Sequence, residues 1–251
     1  MKETILLGLW LLVSIIQITG QAKEIRQYSF EKSASFTNGS QNHLGLLLPI
    51  TLASAGIAFE YFGSQKKWWL NKHGIQYNAL KTFPGYTYSI DDYLQFIPIV
   101  LVYGLNTISI PNNSIYICQT VRLLTAELLC TSTVHLLKNQ TSRLRPDGSV
   151  SNSFPSGHTA QAFLAARFLD KEYGKRFRWV RWMGYSMAAT TGVCRILKNK
   201  HWISDVLLGA GIGFLSVDLS YFLHDKLSKK KLAITPIKRE DVCCISLTYN
   251  F

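Results

Sequence analysis

The sequence predicts an all-α fold: a membrane-associated helical bundle of about five to six helices, followed by a short C-terminal strand pattern. Three observations predict it. Hydrophobic residues make up 47% of the 251 residues against 17% charged, a balance tilted toward membrane association. Apolar segments of helical length recur from residue 44 to residue 223, with no strand-like alternation before residue 243. Cations and histidines interrupt these segments in short blocks, not in one charged run.

Met1 to Ala22 opens with Lys2, continues through an apolar run from Ile5 to Ile16 and ends on the small residues Gly20 and Ala22. This pattern predicts a secretory signal peptide at 1–22, the alternative being a retained first transmembrane helix. Residues 23–43, with Ser33, Ser35, Thr37, Asn38, Gly39 and Ser40, read as a polar linker. A helical domain is expected over 44–225, and 226–251 as a basic tail with an amphipathic strand pattern.

Within the helical domain, Leu44 to Tyr61 is apolar for about the length of a short span, with Pro49 and Gly56 inside it. Ser64 to Ser89, containing Lys66, Lys67, Trp68 and Trp69, reads as an irregular interfacial stretch. Asp91 and Asp92 put carboxylates at the positive end of a helix expected to reach about Ile108, and Pro111-Asn112-Asn113 ends it. Ser114 to Leu137 carries Arg122 and Glu127, which suits a packed bundle better than exposure to lipid. Thr159 to Glu172, Trp179 to Ile196 and Asp205 to Leu223 complete the helices. In the tail, Cys243, Ile245, Leu247, Tyr249 and Phe251 alternate with polar or small residues, as in an amphipathic strand.

The net charge of +12 is not that of a nucleic-acid-binding protein, because no aromatic-basic repeat is present to stack bases. An anionic lipid or anionic substrate is the expected partner. Five cysteines, without CxxC or Cys/His spacing, form neither a disulfide framework nor a metal site. Lys171, Lys175, Arg176, Arg178 and Arg181, with Lys226, Lys229, Lys230 and Lys231, mark cytoplasmic ends by the positive-inside rule. The opposite helix ends then face the periplasm. A retained N-terminal helix with every later apolar segment spanning would reverse this parity; signal cleavage or one interfacial segment restores it.

Three blocks on those opposite ends carry chemistry: Lys138-x6-Arg145-Pro146, Pro155-Ser156-Gly157-His158 and Arg195-x5-His201-x3-Asp205. A transferring phosphoryl group spreads negative charge over its oxygens, so a catalyst without metal needs several fixed cations and backbone donors. Lys138, Arg145 and Arg195 supply cations, and Ser156 and Gly157 lie at a helix start, where anions collect. Of two histidines, one must be neutral to attack phosphorus and the other protonated to serve the leaving alkoxide. Asp205, four residues after His201, stands one helical turn away and can orient that ring. Arg143 competes sterically with Arg145, but the Arg-Pro register favours Arg145. His43, His73, His135 and His224 match no motif.

These blocks resemble the signature KxxxxxxRP, PSGH, SRxxxxxHxxxD of the type 2 phosphatidic acid phosphatase superfamily, which includes lipid phosphate phosphatases, bacterial acid phosphatases and vanadium haloperoxidases. The resemblance runs from roughly Asp91 to Leu223. It implies His201 as a nucleophile forming a phosphohistidine, Asp205 as its orienting group and His158 as general acid. It implies Lys138, Arg145, Ser156, Gly157 and Arg195 as phosphate ligands. Cys194 departs from the pattern, standing where the family has serine.

The expected function is therefore a metal-independent phosphatase without cofactor, acting on a phosphate monoester or terminal pyrophosphate of a membrane lipid. Phosphatidic acid, phosphatidylglycerol phosphate, undecaprenyl pyrophosphate and lipid A are the candidate substrates. The expected partners are that phosphorylated lipid and the membrane; neither nucleic acid nor an obligate protein partner is inferred. The expected location is the bacterial inner membrane with the site on the periplasmic face. A soluble periplasmic acid phosphatase, a vanadium-dependent haloperoxidase and a non-catalytic lipid phosphate-binding protein are the alternatives.

Overall fold

Eight helices and a terminal hairpin make up the described part of the chain, residues 44–62, 72–107, 116–229, 232–239 and 242–249 of a computed structural model. The expected signal segment and polar linker lie outside the described residues. The helices are α1 (Leu44–Phe62), α2 (Lys72–Thr82), α3 (Ile90–Leu94), α4 (Ile97–Thr107), α5 (Tyr116–Thr141), α6 (Gly157–Tyr173), α7 (Arg178–Leu197) and α8 (Ile203–Lys229). Strands β1 (Leu232–Arg239) and β2 (Val242–Tyr249) pair antiparallel, Leu232 opposite Tyr249 and Arg239 opposite Val242. The all-helical expectation holds for the body of the chain, and the strand expected near residue 243 is paired with a second one, Leu232–Arg239.

The helix count exceeds expectation at two places. Lys72–Thr82, inside the stretch read as irregular, is a helix. The single helix expected from Asp91 is broken into α3 and α4, because Pro98 has no amide to donate back to residue 94.

Chain contacts divide into two units. One comprises Asn42–Asn113 and Leu123–Ser220; the other, among described residues, holds the segments 116–122 and 221–249. The first unit carries the core and all three motif blocks. Its centre is α6, buried on nearly every side through Ala160, Ala162, Leu164, Ala165, Ala166, Phe168 and Leu169. The small residues let α8 approach at backbone distance. A Cβ on Gly213 would lie 2.2 Å from the Ala160 carbonyl, and one on Gly209 would lie 2.6 Å from the Ser156 carbonyl.

The two ends of α6 are polar in different ways. Toward its C-terminus Arg167 grips Asp218 of α8 through Nε (3.1 Å) and Nη2 (2.9 Å). Asp170 accepts from Arg181 Nε (2.6 Å) and the Tyr185 hydroxyl (2.8 Å), both on α7. Lys171 closes on Asp218 at 2.8 Å. Every charge in this clamp has an opposite partner, which is what burial of ions demands. The N-terminal end of α6 holds cations whose donors are not all used.

Candidate active site

Two connections build the site. Between α5 and α6 the chain turns immediately after Arg145-Pro146. Gly148 donates its amide to the Arg145 carbonyl (3.0 Å), and Arg145 donates to the Val150 carbonyl (3.1 Å). Asp147 caps the turn by accepting from the Ser149 amide (3.0 Å) and hydroxyl (2.7 Å), and it pairs with Lys200 at 2.6 Å. Burial pushes the Asp147 carboxyl up, but hydrogen bonds from Lys200 and Ser149 outweigh it and bring it to about 2. The Asp147 amide donates to the Asn199 carbonyl (3.2 Å), so the Arg145 turn is pinned to the connection between α7 and α8.

That second connection folds back under Arg195, whose carbonyl accepts amide protons from both Lys200 (3.1 Å) and His201 (3.3 Å). Gln76 of α2 holds the end of α7, donating from Nε2 to the Ile196 carbonyl (2.9 Å) and to Asn199 Oδ1 (2.8 Å). His201 therefore stands beside Arg195 although six positions separate them, and it is 1% exposed.

The hydrogen bonds of His201 fix its tautomer. Nδ1 lies 2.7 Å from the Ser153 carbonyl, which can only accept, so Nδ1 carries the proton and Nε2 keeps its lone pair. Asp205 Oδ2 stands behind the same nitrogen at 3.4 Å. Burial lowers the His201 pKa first; Asp205 opposes, and Arg195 and Lys138 add to the lowering. The ring is neutral at pH 7, as a nucleophile requires.

Asp205 is fully buried and over-determined. Oδ2 accepts from the Ser153 hydroxyl in a short hydrogen bond and from the Trp202 amide at 2.8 Å, and Oδ1 accepts from Arg143 Nη1 at 2.9 Å. The same Arg143 nitrogen makes a short ion pair with Glu60 of α1 and donates to Ser204 Oγ at 3.0 Å. Lys72 of α2 meets Glu60 at 3.4 Å. Arg143 thus holds the aspartate behind His201, whereas among the described residues Arg145 is in no ion pair with a carboxylate.

His158 opens α6. Its Nε2 donates to Asp92 Oδ1 at 3.1 Å. Burial and Arg195 lower its pKa, Asp92 and Asp91 oppose, and His201 lowers it further, to about 4 with no anion present. Asp91, fully buried, accepts from Arg195 Nη1 at 2.9 Å and forms a short ion pair with Lys198. Burial pushes Asp91 up, but these two cations overcome it and hold the carboxyl below its ordinary value. Asp91, Asp92 and His158 offer ligand atoms within 4.8 Å of one another. With Asp91 neutralised by two cations and Asp92 bonded to the histidine, the trio is organised around protons and not around an added cation.

The cations lie close together around His201: Lys138 feels the charge of Arg145 and Arg195, Arg145 that of Arg195, and His201 that of Arg195 and Lys138. The lysine ammonium lies 3.8 Å from where a Cβ on Gly157 would stand. Buried Nε atoms of Arg145 and Arg195 have no hydrogen-bond partner among the described residues. Like charges held together with unspent donors are a site for a multivalent anion. Burial and Arg195 lower the Arg145 pKa, as expected of a cation held beside another.

Ser156 caps α6, accepting from the Thr159 amide at 3.4 Å and sharing its hydroxyl with Thr159 Oγ1 at 2.9 Å. Its own amide donates to the Asp205 carbonyl at 3.0 Å. The amides that the first turn of α6 leaves for an anion are therefore those of Gly157 and His158. Cys194, the departure from pattern, is buried with Sγ 3.1 Å from the Tyr86 hydroxyl. All eight expected site residues lie at this one end of the bundle. Glu60, Gln76, Asp91, Asp92, Arg143, Ser153 and Lys198 were not selected from sequence. Asp91 and Asp92 left a visible signal, two carboxylates opening an apolar helix, which the helix dipole accounted for, and Arg143 left another as the neighbour of Arg145.

A family model described as the PAP2 superfamily matches residues 119–229, which contain all three motif blocks. The lipid A 1-phosphatase of Porphyromonas gingivalis is 52% identical over 83 residues, 33% of this chain and 19% of that protein. The lipid A 1-phosphatase of Helicobacter pylori is 31% identical over 136 residues, 51% of this chain and 68% of that protein. The chain thus aligns with only about a fifth of the first relative's length and about two thirds of the second's. Two solved structures are similar, each covering 72% of this chain and 97% of its own: Aquifex aeolicus LpxE, 21% identical with a TM-score of 0.41, and a transmembrane PAP2-type phosphatidylglycerolphosphate phosphatase from Bacillus subtilis, 20% identical with a TM-score of 0.49. The chain belongs to the PAP2 superfamily.

Proposed function

We propose that the protein is a metal-independent phosphatase that removes a phosphate from a membrane lipid through a phosphohistidine on His201. The observation that carries this reading is the tautomer of His201: Nδ1–H is committed to the Ser153 carbonyl, so Nε2 is the basic atom, under the positive charge of Lys138 and Arg195 and with unspent Nε donors on Arg145 and Arg195. Nε2 attacks phosphorus, the bond to the leaving oxygen breaks, and His158 gives that oxygen a proton. Lys138, Arg145, Arg195 and the amides of Gly157 and His158 hold the equatorial oxygens. Water then attacks the phosphohistidine, His158 takes its proton, and the phosphorus–nitrogen bond breaks to regenerate His201.

Lipid rather than soluble substrate is supported by the surface of the bundle. Leu47, Leu48, Ile50 and Ile57 on α1, Val100 on α4 and Leu124, Leu128 and Leu136 on α5 are large apolar side chains left exposed. Among the described residues α8 is long and apolar enough to cross a membrane over Ile203–Lys226, although 61% of its most apolar window is buried inside the protein. Exposed aromatics mark both ends: Phe83, Tyr88 and Tyr93 near the site, Trp179 and Trp182 beside the basic segment 171–181. By the positive-inside rule the basic end is cytoplasmic and the site periplasmic. The relatives' name supports the 1-phosphate of lipid A as the first substrate to test, ahead of phosphatidic acid, phosphatidylglycerol phosphate and undecaprenyl pyrophosphate.

The test is phosphate release from each lipid and from soluble monoesters, by purified protein in detergent, with and without EDTA. The reading expects a lipid to be preferred and EDTA to have no effect. Preference for a soluble monoester over every lipid, or activity lost to EDTA and restored by a divalent ion, would overturn it.

A further inference from the structure

We infer that Asp92 is a positioning residue for proton transfer, holding His158 by Nε2 so that Nδ1 is the atom that exchanges the proton with the leaving group and with water. The inference rests on the reading of His158 as general acid. Asp92 lies on α3, outside the segment 119–229 matched by the family model.

The geometry sets two histidines in opposite frames. His201 has Nδ1–H tied to a carbonyl and Nε2 free to attack. His158 has Nε2–H tied to a carboxylate at 3.1 Å, which leaves Nδ1. The two acidic neighbours on α3 are not equivalent. Asp91 is fully buried and its charge is spent on Arg195 and Lys198. Asp92 has His158 as its ion-pair partner and is 46% exposed at the side chain, so its negative charge is directed at the imidazole and not at the cradle.

His158 needs that charge. The groups facing it are Arg195 from α7 and His201 from the following connection, with Lys138 of α5 beside Gly157; all are cationic or become so on protonation. Among the described residues Asp92 and Asp91 oppose them. An incoming phosphate adds negative charge and moves His158 toward its protonated form, and Asp92 keeps Nε2–H bonded throughout. In the first step the Nδ1 proton passes to the leaving oxygen as the phosphorus–oxygen bond breaks and the His201 Nε2–phosphorus bond forms. In the second, Nδ1 takes a proton from water as its oxygen bonds to phosphorus and Nε2 departs. Protons and electron pairs balance with water as the only added reactant.

The leaving group reports on this role. An alkyl phosphate expels a strongly basic alkoxide and depends on the acid, whereas p-nitrophenyl phosphate expels a stable anion and depends on it little. His158→Asn should lower kcat/KM for an alkyl phosphate by about a hundredfold or more and for p-nitrophenyl phosphate far less. Asp92→Asn should repeat the pattern at smaller size, about tenfold against about twofold, and Asp92→Glu should recover most of the loss. The alkaline limb of the kcat/KM profile should move to lower pH in Asp92→Asn, because His158 then gives up its proton more easily. Thermal unfolding of the same samples separates these effects from loss of fold. If His158→Asn weakens both substrates equally, the general-acid reading fails and the inference with it. If His158→Asn is selective while Asp92→Asn is silent or equally harmful to both substrates, the acid reading stands and the role of Asp92 is overturned.

Discussion

Asp205 does not act on His201 alone; it is itself held by Ser153, Trp202 and Arg143, and Arg143 is held by Glu60. A lysine cannot span Asp205, Ser204 and Glu60 with one planar group. Arg143→Lys should therefore lower kcat by about tenfold, equivalent to about 1.4 kcal/mol of barrier, with little change in KM. Steady-state kinetics check this; a rise in KM at constant kcat would mean that Arg143 binds substrate instead. The motif residues were legible in sequence because their type, order and spacing are dictated by phosphate chemistry. Arg143 was visible too, two residues before Arg145, but its role depends on a carboxylate at residue 60 that spacing along the chain does not connect to it. Ser153 escaped for a related reason: its key group is a main-chain carbonyl, which any residue type supplies.

Helices deliver these residues through their ends, and the contacts between helices are accordingly close. Gly213→Ala would drive a methyl against the Ala160 carbonyl, 2.2 Å away, and should cost about 1–3 kcal/mol of stability. Gln76→Ala would take the donor from Asn199 Oδ1 and one of two donors from the Ile196 carbonyl, which keeps the Asn199 amide, and should cost about 1–2 kcal/mol. Thermal or denaturant unfolding reads both, and an unchanged midpoint for either would contradict the packing described. The long apolar helices α1, α5, α6, α7 and α8 were legible from segment length and composition. Helix α2 was not, because its sequence KHGIQYNALKT is polar and carries little amphipathic signal. What secures it is tertiary: Lys72 on Glu60 and Gln76 on the end of α7.

For the whole molecule the buried His201 and the half-buried His158 set a pH dependence. Both have pKa values below the ordinary 6.5, His158 at about 4. Between about 6.5 and 4 the unfolded chain therefore binds more protons at these two histidines than the folded one, and their contribution to stability falls as pH is lowered through that interval. Asp91 and Asp147, held below their ordinary 3.8, extend the loss to lower pH, since the unfolded carboxylates protonate first. A melting temperature that rises from pH 7 to pH 4.5 would contradict this account. Inorganic phosphate, by occupying the cradle, should raise the melting temperature at pH 7, and less so when Arg145 is replaced by alanine.

A covalent phosphohistidine on His201 is tested by rapid quenching with a 32P-labelled lipid substrate. Wild-type protein should carry acid-labile, base-stable label that maps to His201, and His201→Ala should carry none and lose activity by at least about three orders of magnitude. Label that persists in His201→Ala, or that maps to a carboxylate, would contradict the account.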